Sequence, residues 1–207
     1  MASETDKNAR DRIAETLDPA IFQTLVTFVE LCGTWGAVSN LVSAADRDRL
    51  WSRHVADSLQ LVGHASALGP RWIDLGAGAG FPGMVVAIAR AETSMTLVES
   101  NRKKAAFLLR AAAECAVPVK VESRRAETLP AEPHDVVSAR ALAPLHRLLE
   151  LSLPFFGPAT VGLFPKGRDA ATEIDMAREH FCFDLRSHPS QTDAEGVILA
   201  VTNLQRA

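Results

Sequence analysis

The segment Trp72–Gly83, WIDLGAGAGFPG, places four glycines within eight residues, directly after an apolar run that carries a carboxylate. The glycines are Gly76, Gly78, Gly80 and Gly83. Glycine is favoured where the backbone needs a positive φ angle, or where another group must come close to the chain. The segment therefore predicts a ligand-binding loop between a buried strand and a helix.

Length, composition and charge limit the class of protein. The chain has 207 residues, of which 47% are hydrophobic, and its net charge is −3. This length allows one sizeable core and a small accessory segment. The first residues, MASETDKNARDR, lack the apolar region of a secretory signal, and no stretch approaches the about 20 apolar residues of a membrane span. We expect a cytoplasmic monomer that binds neither membrane nor DNA.

The three cysteines, Cys32, Cys115 and Cys182, lie far apart, and the sequence has no C-x-x-C pair. An odd number without close pairs argues against a disulfide framework and against a zinc site. The pattern predicts three buried thiols and no bound metal.

The first third of the chain is predicted to be helical. An amphipathic helix is expected from Asp18 to Trp35, with Asp18 as N-cap and Pro19 in the first helical position. Its apolar face is formed by Ile21, Leu25, Phe28, Val29 and Cys32. A second helix begins near Asp46, with Trp51, Val55, Leu59 and Val62 on one face. We expect residues 1–68 to form a helical extension that packs on a core of residues 69–207, in one compact domain.

After Pro70, short apolar runs alternate with helical segments. The strand candidates are RWIDL, SMTLVE, VKVES, HDVVSA, TVGLF, FCFDLRS and GVILAVT. Helices are expected over Pro82–Arg90, Arg102–Cys115, Leu142–Leu153 and Asp169–His180. This order predicts an α/β fold with a mostly parallel seven-stranded sheet, helices on both faces, and an antiparallel hairpin of the last two strands at one edge. Ligands bind at the carboxyl ends of such strands, where the glycine loop would lie.

Two cofactor classes fit the glycine loop. Gly78, Gly80 and Gly83 satisfy G-x-G-x-x-G, the dinucleotide fingerprint, and Glu99 follows about 20 residues later, where a ribose-binding acid is expected. Asp74 would repel a pyrophosphate, whereas S-adenosylmethionine carries an ammonium and a sulfonium group. Asp74 therefore favours S-adenosylmethionine. Glu99 would accept hydrogen bonds from ribose hydroxyls in either case.

Several segments in order carry a resemblance to a known family. They are NLVSAADRDRLWSRHVADSLQL, DLGAGAGFPG, LVESNRKKAAFLLRAA, SARALAPL and FPKG. Together they resemble the bacterial 16S rRNA guanine-N7 methyltransferases, also called the glucose-inhibited division protein B family. The similarity runs from about Asn40 to Gly167, and its most specific parts are Phe-Pro-Gly after the loop and His-x-x-Asp-Ser-Leu before it.

The resemblance implies a fold, a reaction and a set of site residues. The fold would be that of a Rossmann-like class I methyltransferase that depends on S-adenosylmethionine. The reaction would be methyl transfer to N7 of a guanine in the 530 loop of 16S rRNA, nucleotide 527 in the usual rRNA count. The residues implied around the cofactor are Gly76, Phe81, Ala126, Glu127 and Arg140, with Glu127 beside the adenine edge. Arg140 could position either substrate or cofactor.

The chemistry of this acceptor asks for no obligatory catalytic residue. Guanine N7 has a free lone pair and no proton to lose, so alignment and desolvation are sufficient. Methylation of an adenine amino group usually goes with Asn or Asp followed by Pro-Pro, whereas this chain has SARALAPL after the fourth strand. Cytosine C5 methylation needs a cysteine nucleophile, and Cys115 falls late in an expected helix.

Basic residues at or beyond the strand ends are the candidate RNA contacts. They are Arg53, His54, Arg102, Lys103, Lys104, Arg124, Arg125, Lys166 and Arg168. Binding through them should weaken with salt. The expected partner is 16S rRNA or the assembling small ribosomal subunit. Other classes stay open on the residues alone: a methyltransferase for another RNA or a small molecule, a nicotinamide-dependent oxidoreductase, and a non-catalytic RNA-binding protein.

Overall fold

The computed structural model describes residues 4–39, 41 and 44–207. Asn40, Val42 and Ser43, which belong to the first segment of the family resemblance, lie outside the described residues. The helical part before the sheet comprises α1 (Glu4–Thr16), α2 (Pro19–Ser39), a 3₁₀ segment (Ala44–Arg49), a π-helical turn (Leu50–Val55) and α3 (Ala56–His64). No described helix has the length and apolar character needed to cross a membrane.

Seven strands form one sheet. They are β1 (Arg71–Leu75), β2 (Ser94–Val98), β3 (Val119–Glu122), β4 (Val136–Ser138), β5 (Val161–Lys166), β6 (Phe181–Pro189) and β7 (Val197–Arg206). Their order is β3-β2-β1-β4-β5-β7-β6, and β7 runs antiparallel to both of its neighbours. The predicted seven-stranded sheet with an antiparallel hairpin at one edge is confirmed. The insertion of β7 between β5 and β6 was not predicted.

Helices cover both faces of the sheet. The remaining helices are α4 (Gly83–Ala89), α5 (Arg102–Glu114), α6 (Leu145–Ser152) and α7 (Ala170–Arg178). One hydrophobic cluster joins α2, α3, α4 and α5 to one face, and a second cluster joins α6 and α7 to the other. The four predicted helices of this region are present. The third begins at Leu145 rather than Leu142, because Pro144 occupies its N-cap position.

The helix α2 ties the N-terminal part to the sheet. Its predicted N-cap is confirmed, since Ala20 N donates to Asp18 Oδ1 at 2.8 Å. Phe28 on its inner face is fully buried, and its ring centroid lies 5.2 Å from that of Phe81 and 6.5 Å from that of Phe107. The helical extension and the sheet thus share one core. The boundary between residues 68 and 69 stays a prediction.

The helix α1 agrees with the expected helical extension, but the sequence predicts no separate bounds for it because it is mostly polar. It docks through Ala9 and Ile13, which are buried, and through Asp6. Asp6 Oδ1 accepts hydrogen bonds from Ser52 N at 2.7 Å and from Ser52 Oγ at 2.9 Å. A buried carboxylate bound by another segment leaves no periodic apolar signal.

The predicted second helix is broken into a 3₁₀ segment, a π-helical turn and α3. Trp51 and Val55 are buried as expected. Beyond them Leu61 is fully buried, whereas Leu59 and Val62 are only partly buried. A π turn takes up an extra residue, so it changes the angular position of the residues that follow. The buried face of α3 therefore differs from the one that regular α-helical spacing predicts.

The prediction of three buried thiols is wrong for one of them. Cys32 and Cys115 are buried, whereas Cys182 is exposed. Cys182 lies between Phe181 and Phe183 on β6, and alternate side chains of a strand point to opposite faces. Burial raises the pKa of the Cys115 thiol to about 11, which does not suit a nucleophile.

Phe28→Ala tests whether α2 belongs to the cooperatively folded core. We expect a loss of about 3–5 kcal/mol in the free energy of unfolding, because the substitution leaves a cavity between α2, α5 and the glycine loop. Urea unfolding followed by circular dichroism measures it. Leu109→Ala on α5 is the control, since this side chain is 57% exposed and should change stability by less than about 0.5 kcal/mol. Similar small losses for both variants would contradict the shared core.

Candidate active site

The glycine loop joins β1 to α4 through backbone conformations that favour glycine. Gly76, Gly78 and Gly80 have φ angles of +68°, +57° and +91°. A Cβ atom on Gly78 would meet nothing closer than 3.7 Å, so the space beside this residue is open. One on Gly76 would lie 2.6 Å from Leu142 Cδ1, because the segment after β4 covers this part of the loop.

Gly83 serves close packing rather than a positive φ angle. A Cβ atom there would lie 2.3 Å from Leu97 Cδ2 and 2.7 Å from Asp74 Oδ2. The absence of a side chain lets the first turn of α4 approach β1 and β2. The fourth glycine of the segment is thus required where the helix begins.

Asp74 supports the loop from beneath. The carboxylate is fully buried, and Oδ2 accepts a hydrogen bond from Gly83 N at 3.0 Å. Oδ1 accepts one from Ser138 Oγ at 2.7 Å, and Trp72 Nε1 donates to the same hydroxyl at 2.8 Å. Burial raises the pKa of Asp74 to about 7, while the hydrogen bonds and the charge of Arg140 lower it. Since both oxygens are engaged, direct contact with a cationic cofactor stays a prediction.

Glu99 follows β2 and lies beside the loop, as its spacing predicts. Its Oε2 accepts a hydrogen bond from Gly78 N at 2.9 Å, and its Oε1 accepts one from Asn101 N at 2.7 Å. A carboxylate has about four lone-pair sites, so these bonds leave room for further donors. Its expected contact with ribose hydroxyls stays a prediction.

The two most specific motifs of the sequence meet at the Phe81 ring. His54 stacks on this ring with centroids 4.9 Å apart, and Arg140 Cζ lies 5.8 Å from the ring centroid. A guanidinium at this distance interacts favourably with an aromatic ring. The helical segment before the sheet and the glycine loop therefore build one wall.

Arg140 is fixed by the turn that precedes α3 and by the first turn of α3. Its Nη1 donates to the Arg53 carbonyl at 3.0 Å and to Asp57 Oδ2 at 3.3 Å, and its Nη2 contacts His54 Nδ1. Burial lowers the pKa of Arg140, and the neighbouring Asp57 acts in the opposite direction. The group nevertheless stays cationic, as arginine does in proteins. Arg140 is thus a positioned cation rather than half of an exposed ion pair.

A cleft of about 540 Å³ lies next to Arg140, at the carboxyl ends of β4 and β5. The loop between β6 and β7 closes its far side, with Thr192 and Asp193 in the lining. His54 and Arg140 form the wall toward the glycine loop. The cleft and the loop are therefore adjacent, as a site for two reactants requires.

The segment after β3 places Ala126 and Glu127 in a short 3₁₀ turn, Ala126–Thr128. Ala126 packs against the cluster under α6. Glu127 is exposed, and its Oε1 accepts a hydrogen bond from Arg147 Nη2 at 2.7 Å. The implied position beside an adenine stays a prediction.

Several candidate RNA contacts are paired within the chain. The pairs are Arg53 with Asp193 at 3.0 Å, Arg124 with Glu122 at 2.9 Å, Lys166 with Glu173 at 2.7 Å and Arg168 with Glu195 at 3.2 Å. Lys166 is 10% exposed and also donates to the Ala143 carbonyl. It links β5 to α7 from within, so its charge is used inside the protein, whereas the sequence predicted an RNA contact for it.

The other basic candidates have positive charges that could bind phosphate groups. Arg102, Lys103 and Lys104 form the first turn of α5, and Arg125 follows β3. None of these side chains has a carboxylate partner among the described residues. They lie at the carboxyl ends of β2 and β3, at the same edge of the sheet as the glycine loop.

Sequence reasoning missed four residues of the site: Ser138, Leu142, Thr192 and Asp193. Ser138 was detectable in principle, because a hydroxyl inside the buried run VVSA needs a hydrogen-bond partner. The other three become neighbours of the site only through the fold.

The strand order, the glycine loop and the acid after β2 define the class of Rossmann-like methyltransferases. A solved structure with this fold is that of an O-methyltransferase from Bacillus cereus in complex with SAH. It has a TM-score of 0.61 and 16% identity, and the likeness covers 97% of this chain and 99% of that chain. At this identity the likeness concerns the fold alone.

The family model described as rRNA small subunit methyltransferase G matches residues 21–196, and the chain belongs to this family. A relative of that name from Rhizorhabdus wittichii is 48% identical over 169 residues, which are 80% of this chain and 78% of the relative. Another, from Methylorubrum populi, is 42% identical over 207 residues and covers 98% of each chain.

The buried carboxyl of Asp74 should titrate near pH 7, well above its ordinary value of 3.8. The native state then binds this proton more tightly than the unfolded chain, so the stabilisation is full below about pH 4 and is lost as the pH rises through 7. Ser138→Ala removes a donor to the carboxylate and should move the midpoint upward.

Carboxyl carbon shifts in NMR spectra recorded against pH measure this midpoint. Asp193 is the internal control, because the neighbouring Arg53 holds the pKa of that carboxyl below its ordinary value. An Asp74 midpoint near 4, or a downward shift in Ser138→Ala, would contradict the assigned environment.

Proposed function

We propose that this protein transfers a methyl group from S-adenosylmethionine to N7 of a guanine in the 530 loop of 16S rRNA, nucleotide 527, and that it acts in the cytoplasm as a monomer. Membership of the rRNA small subunit methyltransferase G family supports the substrate class. The single observation that supports the site is the contact of His54 and Arg140, which line the cleft, with Phe81 of the glycine loop, because it brings the loop and the cleft together.

The residues around the loop fit this cofactor, which supplies a methyl group on a positively charged sulfur. The open space beside Gly78 lets a ligand approach the main chain. Glu99 can accept hydrogen bonds from ribose hydroxyls at the end of β2. Ala126 and Glu127 follow β3 and would hold the adenine end, and Asp74 would keep the loop in place through Gly83.

The cleft suits a single base that has been turned out of an RNA loop. Its volume of about 540 Å³ lies within the usual range for small-ligand sites, about 300–1,000 Å³. Specific RNA recognition generally uses unstacked bases, and enzymes that modify a base take it out of the stack.

Arg140 has donors left to orient that base. A guanidinium has five N–H groups, and the Arg53 carbonyl, Asp57 and His54 engage three of them. Guanine O6 and N7 lie on the same edge of the base. A hydrogen bond from Arg140 to O6 would therefore fix the base and leave the N7 lone pair free to accept the methyl group.

The reaction needs no side chain that removes a proton. The lone pair of N7 forms the new N–C bond as the S–C bond breaks, and the positive charge passes from sulfur to the base. The protein then contributes alignment and exclusion of water. The fixed position of Arg140 and the stacked ring of Phe81 serve this purpose.

Transfer of labelled methyl to small subunits, or to their extracted rRNA, from a strain lacking this protein tests the proposal. We expect label on guanine N7 in the 530 loop. Tight cofactor binding without transfer to either substrate would overturn the assigned acceptor. Efficient methylation of a short naked hairpin would count against recognition of a ribonucleoprotein particle, which we favour because the net charge of the chain is −3.

Charge reversal in the first turn of α5 should weaken binding of the RNA substrate and leave binding of S-adenosylmethionine unchanged. For the double variant Arg102→Glu and Lys103→Glu we expect KM for the rRNA substrate to rise about 25-fold, because each of the two lost phosphate contacts costs about fivefold at 0.1 M salt. Steady-state kinetics and calorimetry with S-adenosylmethionine measure the two effects. Arg110→Glu, on the same helix but in an ion pair with Glu114, is the control. Unchanged KM in the double variant would favour a small-molecule acceptor.

A further inference from the structure

The loop between β6 and β7, Ser190–Gly196 with sequence SQTDAEG, forms one side of the substrate cleft. We call it the acidic loop. Its side chains are polar or small, and Ser190, Thr192 and Asp193 line the cleft. The residues proposed above for cofactor and base lie outside this loop, so its composition needs a separate explanation.

Both carboxylates of the acidic loop pair with arginines beside the cleft. Asp193 Oδ2 lies 3.0 Å from Arg53 Nη1, and Glu195 Oε2 lies 3.2 Å from Arg168 Nη2. The loop therefore neutralises the positive charge on this side of the cleft. Elsewhere at the carboxyl ends of the strands, Arg102, Lys103, Lys104 and Arg125 have no carboxylate partner among the described residues.

The acidic loop is attached to α3 by hydrogen bonds. Gln191 N donates to Gln60 Oε1 at 2.8 Å, and Gln60 Nε2 donates to Thr192 Oγ1 at 3.2 Å. Thr192 Oγ1 donates to Asp57 Oδ1 at 2.9 Å, and Asp57 also holds Arg140. These bonds keep the loop beside Arg53, so the pairing of Asp193 with Arg53 follows from the position of the loop.

We propose that in the free protein the Asp193 carboxylate occupies the position beside Arg53 that a phosphate of the RNA substrate takes in the complex. The proposal rests on the proposed function, since it assumes an RNA substrate. The side chains of Arg53 and Asp193 are 40% and 38% exposed, and ion pairs this exposed contribute little to stability. A phosphate that is correctly placed by the rest of the RNA can therefore displace the carboxylate. An RNA that does not fit meets a neutral surface and gains nothing from Arg53, which improves discrimination.

The exchange predicts a signature in the dependence of binding on salt. When a phosphate replaces Asp193 on Arg53, the freed carboxylate stays beside the RNA backbone, and its negative charge keeps cations there, so the contact releases fewer counterions. Without the carboxylate, the same contact releases counterions in full. Removal of this charge should therefore steepen the slope of log K against log salt by up to about 0.7–0.9.

Asp193→Asn removes the charge and keeps the turn. Asp193 Oδ1 accepts a hydrogen bond from Glu195 N at 3.1 Å, and the amide oxygen of asparagine can do the same. Asp184→Asn is the matched control. It changes the net charge equally and lies on β6, where Asp184 bonds to Asn203 Nδ2 away from the cleft.

Affinity of the fluorescently labelled full chain for small subunits from a strain lacking this protein, measured by fluorescence anisotropy from about 50 to 200 mM salt, tests the proposal. We expect Asp193→Asn to bind about threefold to tenfold more tightly at the lowest salt, with the steeper slope. Asp184→Asn should stay within about twofold of the unmodified protein. Equal effects in both variants, weaker binding by Asp193→Asn, an unchanged slope, or no measurable binding by any of the proteins would overturn it.

Methyl transfer by the same proteins separates this proposal from the proposed function. If the unmodified protein labels small subunits normally, and the Asp193→Asn variant has the same KM and the same affinity for small subunits, only the role of Asp193 is overturned. Absence of transfer by the unmodified protein to subunits and to rRNA would overturn the proposed function.

Discussion

The Asp74 carboxylate is enclosed by the protein, and its two oxygens accept hydrogen bonds from the start of α4 and from β4. An unpaired carboxylate in this position would be strongly destabilising, so its donors, Gly83 N and Ser138 Oγ, are constrained to one geometry. The glycine loop lies between these anchors. Its positive φ angles, its exposure of main chain beside Gly78, and the contact of Gly78 N with Glu99 depend on that geometry.

The helical extension forms a wall of the site as well as part of the core. Phe28 supports Phe81 from within the core, and His54 stacks on the same ring. Arg140, at the end of β4, is held by main chain and side chains of the segment that includes His54 and Asp57. A change in the packing of this segment would therefore affect both the glycine loop and the cleft.

The basic residues differ in their electrostatic surroundings. Arg102 and Lys103 have no carboxylate partner among the described residues, whereas Arg53 and Arg168 are paired with carboxylates of the acidic loop. The sequence predicted the same role for all these cations. Local sequence patterns do not reveal a partner such as Asp193, which is 140 residues from Arg53 in the chain. The same limit explains Lys166, whose partner Glu173 and whose burial depend on how α7 packs against β5.

The sequence by itself determined the strands of the sheet, the helices that follow them and the position of the glycine loop. Alternating apolar runs, the glycine spacing and Glu99 after β2 are local signals, since strands and turns are encoded over a few neighbouring residues. Tertiary structure alone decided the place of β7 between β5 and β6, the exposure of Cys182, and the docking of α1 through Asp6. It also decided which charges are paired, because long-range hydrogen bonds and ion pairs depend on distances that only the folded chain defines.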